Sequence, residues 1–135
     1  MQKTASNQPT EVIDQVLNRF PKVISPRAHA LVDALAFPAM AALTLQMAQK
    51  SSRAALLMSV NLSIEGGVSL FTDYPPGLIR LLRFEDHIRI GVLYAPLSIG
   101  LALLTPGIPK RQRLILSLLP LIPFLLNSLS KPLEK

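Results

Sequence analysis

Two histidines, His29 and His87, stand 58 residues apart; each opens a long apolar run, and each is followed nine residues later by a proline, Pro38 and Pro96. They are the only histidines in the chain. The same ungapped offset pairs Lys22-Val23-Ile24 with Arg80-Leu81-Leu82, Leu35 with Leu93, Arg53 with Arg111, and Ser59 with Ser117. A fixed internal period constrains a fold more than any local signal, because one repeat unit must bury its apolar face against the next. The chain therefore reads as a tandem duplication of one hydrophobic hairpin, residues 21–74 and 78–132, behind an N-terminal segment of residues 1–20.

The apolar runs set the solvent. A membrane-spanning helix needs about 17 to 25 mainly apolar residues, since each adds roughly 1.5 Å toward crossing about 30 Å of hydrocarbon. Four segments approach this: Ala28–Met47, whose one charge is Asp33; Ala54–Phe71, whose one charge is Glu65; Ile88–Leu104, with Arg89 near its entry; and the shorter, uncharged Leu114–Leu129. A soluble helical bundle is the competing reading, but the polar face that a water-exposed helix requires is nearly absent from all four. Half of the 135 residues are hydrophobic and 16% are charged, an apolar excess that a chain of this size cannot hide in one aqueous core. The expected fold is an all-α integral membrane four-helix bundle made of two tandem, parallel-oriented two-helix repeats.

Composition also excludes functions. With no cysteine, disulfides, thiolate iron–sulfur ligation and membrane thiol exchange are out of reach. The formal charge of +6 comes from residues flanking the apolar runs, which fits anionic lipid headgroups rather than nucleic acid. The first twenty residues lack the apolar core of a secretory signal, so the first apolar run is expected to stay in the mature chain. Membrane lipids and further copies of the same chain are the expected partners.

Within this frame, Met1–Pro9 reads as a mobile tail. From Thr10 to Phe20, Val12, Ile13, Val16, Leu17 and Phe20 recur at helical spacing, which describes a helix lying in the membrane interface or packed on the mouth of the bundle. Ser25-Pro26 predicts an N-cap and a first-turn proline for the first span, and Asp86 a cap for the third. Tight turns are expected at Lys50–Arg53 and Thr105–Arg113, and Pro120 and Pro123 are expected to bend the last span. Two spans per repeat bring both copies into the membrane in one direction. Nine Lys and Arg fall on the side of the termini and central connection against five in the hairpin turns, which predicts a bacterial inner-membrane protein with cytoplasmic termini.

Ionisable groups inside a span cost about 2.5–3.5 kcal/mol on insertion scales and therefore face a bundle interior or water. Asp33 lies one turn beyond His29 and shares its face. Glu65 returns toward the same membrane side with Asn61 one turn away, and the third span adds His87, Gly91, Tyr94 and Ser98. The repeat is asymmetric here: Asp33 aligns with Gly91 and Glu65 with Pro123. A polar cluster of Glu65, Asp33, His29, His87, Asn61 and Tyr94 is the candidate site, and its expected role is to bind or pass a proton, cation or small solute. Two cofactor readings compete: a b-type haem held between His29 and His87, or a divalent metal held by His29, Asp33, Glu65 and His87. A structural or accessory subunit, in which the polar groups only join helices, is the further alternative. No nucleophile elbow, phosphate loop or triad supports an enzyme.

The pattern His29-x3-Asp33-x4-Pro38, then Ser69-Leu70-Phe71-Thr72-Asp73-Tyr74-Pro75-x-Gly77, then His87-x8-Pro96 resembles small bacterial four-helix membrane proteins grouped with the SPW-repeat family. That family's Ser-Pro-Trp core would fall at Pro38 and Pro96, where this chain has Phe37-Pro38-Ala39 and Ala95-Pro96-Leu97 and no tryptophan. The resemblance implies a duplicated hairpin and lends nothing to a mechanism.

Overall fold

A computed structural model describes residues 8–74 and 77–133. Most of the expected N-terminal tail, and Pro75-Pro76 of the central connection, lie outside the described residues. The order is α1 (Gln8–Leu17), α2 (Pro26–Ala48), α3 (Ser52–Phe71), α4 (Phe84–Leu104), α5 (Lys110–Leu118) and α6 (Leu121–Ser128). Among the described residues no strand forms beyond two isolated bridges.

Three helices, α2, α3 and α4, are long and apolar enough to cross a membrane, which marks this as a membrane protein. Their outer surfaces agree: Leu31, Leu35, Leu45, Leu56, Leu93 and Leu97 are all exposed, an arrangement that water would penalise and hydrocarbon does not. The fourth apolar segment is not one helix. Pro120 and Pro123 each lack an N–H to donate one turn back, and the chain breaks at Leu119-Pro120 into α5 and α6, a sharper outcome than the expected bend.

Helix starts follow their caps. Ser25 Oγ accepts from Ala28 N at 3.2 Å ahead of Pro26, and Ser51 Oγ accepts from Ala54 N at 3.2 Å. Asp86 is not the cap of α4, contrary to expectation. That helix begins at Phe84 with Arg83 as its cap residue, and Asp86 sits in the first turn, where the helix dipole favours an acid and where it accepts from Arg83 Nε at 2.9 Å. At the far end, Arg113 donates to Ala102 O and Leu103 O, capping α4, and Arg53 donates to Pro106 O beside Gly107, whose φ of 74° suits only glycine.

Of the two placements open to α1, the structure has the mouth of the bundle. Leu17 is buried with Phe84, Ile88 and Val92, Ile13 and Val16 pack on the same cluster, and Arg89 holds Asp14 through Nε and Nη2 at 2.9 and 3.0 Å. The helix stops at Leu17, short of the expected Phe20, where Pro21 disfavours helical geometry in the residue before it.

The two hairpins clasp crosswise beneath this mouth. Val23 and Ile24 N–H both donate to Leu129 O at 2.9 Å, while Leu81 and Leu82 N–H both donate to Phe71 O at 3.0 and 2.8 Å. Lys131 N donates to Ile24 O, and Asp73 N to Leu82 O, each at 2.8 Å. Moving every residue of one set by 58 positions generates the other. The approach to each hairpin's first helix thus passes under the end of the other hairpin's last one.

Candidate metal centre

This crossing brings four polar side chains together at the end of the bundle that holds the starts of α2 and α4. His29 and His87, one turn inside those helices, are fully buried. Each is held through Nδ1 by a hydroxyl from the opposite hairpin: His29 by Ser130 Oγ at 2.7 Å, and His87 by Thr72 Oγ1 at 2.9 Å. These two contacts are also related by the 58-residue offset.

The hydroxyls decide the tautomers. Ser130 Oγ donates its proton to Leu126 O at 2.6 Å, and Thr72 Oγ1 donates to Val68 O at 2.5 Å. A hydroxyl has one proton; with that proton on the carbonyl, each hydroxyl accepts from its imidazole, which assigns the Nδ1–H tautomer to both histidines. In neutral imidazoles the two Nε2 atoms are then bare lone pairs, and they face each other at 3.2 Å. Asp33 Oδ2 lies 3.4 Å from His29 Nε2 and 3.5 Å from His87 Nε2.

Asp33 is fixed from its other side. Ser69 Oγ donates to Oδ2 at 3.1 Å, and the Tyr74 hydroxyl also donates to it. Burial, together with the adjacent Asp33 carboxylate, pushes the Tyr74 hydroxyl well above its ordinary pKa, so it remains a donor. The Tyr74 ring stacks on Phe84 at 5.4 Å between centroids, and both rings wall off the histidines.

Three acceptor atoms thus form a triangle with edges of 3.2, 3.4 and 3.5 Å and no donor between them. Left so, their lone pairs repel; a cation at the centre converts the repulsion into attraction. Ligand atoms about 2.0–2.2 Å from a tetrahedral ion stand roughly 3.3–3.6 Å apart, within about 0.1 Å of each edge of this triangle. An octahedral ion at about 2.0–2.1 Å from its ligands would draw neighbouring atoms closer, to roughly 2.9–3.0 Å.

The sequence-predicted site is brought together only in part. His29, His87 and Asp33 converge, and they are the one group of potential metal ligands among the described residues. Glu65 is not a member: it lines a neighbouring cavity. Asn61 is occupied elsewhere, accepting from Ser98 Oγ at 2.6 Å and donating to Leu57 O at 2.9 Å. Tyr94 is buried on α4 but makes no hydrogen bond to the triangle among the described residues. The haem reading fails sterically, because a porphyrin would have to pass between two nitrogens at 3.2 Å and through the position of Asp33 Oδ2. Sequence reasoning missed Ser130 and the role of Tyr74. Thr72 and Ser130 are both hydroxyl residues at positions 58 apart, a signal the offset alone would have revealed.

Compared with protein-family models, with curated proteins and with solved structures, the chain matches none.

Proposed function

We propose that this is an integral membrane protein that binds one divalent metal ion, zinc by ligand set and geometry, through His29 Nε2, His87 Nε2 and Asp33 Oδ2. The observation that carries the reading is the convergence of the two Nε2 atoms and Asp33 Oδ2 in a triangle of tetrahedral dimensions, which the tautomer assigned above leaves free of donors. A metal would engage both nitrogens and Asp33 Oδ2 together, with Ser69 and Tyr74 already holding that oxygen from its other side. Two imidazoles disfavour magnesium and calcium, which prefer oxygen ligands. The hydroxyls that hold Nδ1 are the outer partners that metal-bound histidines regularly have.

The same proposal takes the chain as two copies of one hairpin related by a pseudo-twofold axis, with α5 and α6 together as the fourth span. The crosswise hydrogen bonds that repeat at 58 residues support this. It places the protein in a bacterial inner membrane with cytoplasmic termini.

The test is metal analysis of detergent-purified protein after zinc loading and desalting. One zinc per chain is expected, with loss in His29→Ala, His87→Ala and Asp33→Asn while each variant still elutes as a folded species. X-ray absorption should show two nitrogen ligands and at least one oxygen ligand. Wild-type protein that retains no zinc refutes the reading.

A further inference from the structure

Beside the metal centre, a cavity of about 510 Å³ opens between α2, α3 and the α5–α6 pair. Its volume is that of a small-molecule site, for which roughly 300–1,000 Å³ is typical. Its walls are almost wholly apolar, with Phe37, Met40, Leu43, Ile122 and Leu126 among them.

The cavity has a closed counterpart, which shows how it arises. At the neighbouring seam, α3 and α4 are joined by the Asn61–Ser98 hydrogen bond, with the ring of Tyr94 buried one turn away. Shifted by 58 residues, Asn61 becomes Leu119, Ser98 becomes Met40, and Tyr94 becomes Ala36, and all three line the cavity. One seam is therefore closed by a hydrogen bond and an aromatic ring. The equivalent seam has lost both, and a tyrosine's volume with them.

The open seam is also where the acid sits. Among the described residues, Asp33 and Glu65 are the only charged ones that line it. Asp33 is committed to the triangle, and the polar atoms of Ser69 and Asn61 are spent on Asp33, Ser98 and Leu57. The Glu65 carboxyl has no hydrogen-bond partner among the described residues, although α3 carries it inside the apolar layer. A group so placed costs several kcal/mol in hydrocarbon unless something pairs with it.

We infer that this cavity binds a lipophilic cation, an amine or onium centre on an apolar body, with its charge against Glu65. The apolar walls take the body, and the carboxyl supplies the sole unpartnered polar contact. A neutral acyl chain would fill the walls but leave Glu65 unpaired, and an anion would meet two carboxylates.

The experiment is equilibrium dialysis of radiolabelled tetraphenylphosphonium against the detergent-purified full chain. Saturable binding of one cation per chain is expected, weakened at least tenfold in Glu65→Gln and kept in Glu65→Asp. Ala36→Tyr, which restores the ring found at the neighbouring seam, should abolish binding by filling the cavity. His87→Ala should lose zinc and keep the cation, so that failure of the metal reading and failure of this one are separable. Wild-type protein that does not bind the cation, or Glu65→Gln protein that binds it as wild type does while still holding zinc, overturns the inference. So does an Ala36→Tyr variant that dissociates a dimer into monomers, which would give the cavity to a second copy of the chain.

Discussion

Thr72→Val replaces a hydroxyl by a methyl group of nearly the same shape, and the structure gives two consequences that can be measured apart. Thr72 Oγ1 accepts the His87 Nδ1 proton at 2.9 Å and passes its own to Val68 O at 2.5 Å. Without it, the buried N–H has no partner, at a cost of about 1–3 kcal/mol in stability. His87 is also free to move its proton to Nε2, where it points into the triangle and must be displaced before an ion can bind. Loss of such an outer partner typically weakens metal affinity about 10–100-fold, or roughly 1.4–2.7 kcal/mol. Competition against a chromophoric zinc chelator in detergent measures the affinity, and nitrogen NMR of the imidazoles reads the tautomer. Thr72→Val should bind zinc 10–100-fold more weakly and show a mixture of tautomers for His87 in the metal-free protein. Thr72→Ser, which keeps the hydroxyl, should restore both. Ser130→Ala should reproduce the defect at His29, and the double variant should depart from additivity because both hydroxyls act on one ion. Zinc affinity in Thr72→Val and Ser130→Ala equal to wild type would refute the argument that these hydroxyls set the lone pairs.

A Cβ added at Gly91 would run into Asn127 Nδ2, so Gly91→Ala should destabilise the protein by about 1–3 kcal/mol in detergent thermal melts. Adding Asn127→Ser, which supplies the residue found at the matching position 69, should recover most of the loss. Ser98→Ala removes the partner of Asn61 Oδ1 across α3 and α4 and should cost about 0.6–1.7 kcal/mol, the average and the maximum for interhelical hydrogen bonds in membranes, with zinc affinity unchanged. Asp14→Asn breaks the pair with Arg89, both partners being partly exposed, and should cost under about 1 kcal/mol. Limited proteolysis should nonetheless cut near Leu17 faster, because this pair anchors α1 to α4.

What could be read from residues alone was whatever repeats locally. Apolar run length located α2, α3 and α4, and Ser25-Pro26 marked where α2 starts. Asp86 misled because first-turn acids and caps draw on the same residue types, and only the backbone shows which turn an acid occupies. The offset between His29 and His87 identified the two residues that meet, but two histidines on equivalent helices need not face each other. The decisive partners, Thr72 and Ser130, lie past the ends of the apolar runs, and their meaning comes from the crossing of the hairpins. Glu65 and Asp33 looked alike in sequence as lone acids in spans. The register of α3 against α2 separates them, since it is Ser69, one turn beyond Glu65, that reaches Asp33.

The asymmetry between the halves follows from the proposed site. On the proposed duplication, a hairpin repeated about a pseudo-twofold axis would supply two equivalent histidines and so two neutral ligands. Such an axis contributes ligands only in pairs, so a three-ligand centre requires that one copy abandon its acid. Gly91 does so, and the space that a side chain there would need is filled by Asn127, where the first copy has the smaller Ser69. A divalent ion held by two neutral imidazoles and one carboxylate keeps a net charge of +1, whereas a second carboxylate would cancel it. The loss at Gly91 therefore does more than relieve crowding. With it, the three residues that would hold the metal carry one negative charge between them, and three protein ligands are the number that distinguishes open zinc sites from closed structural ones.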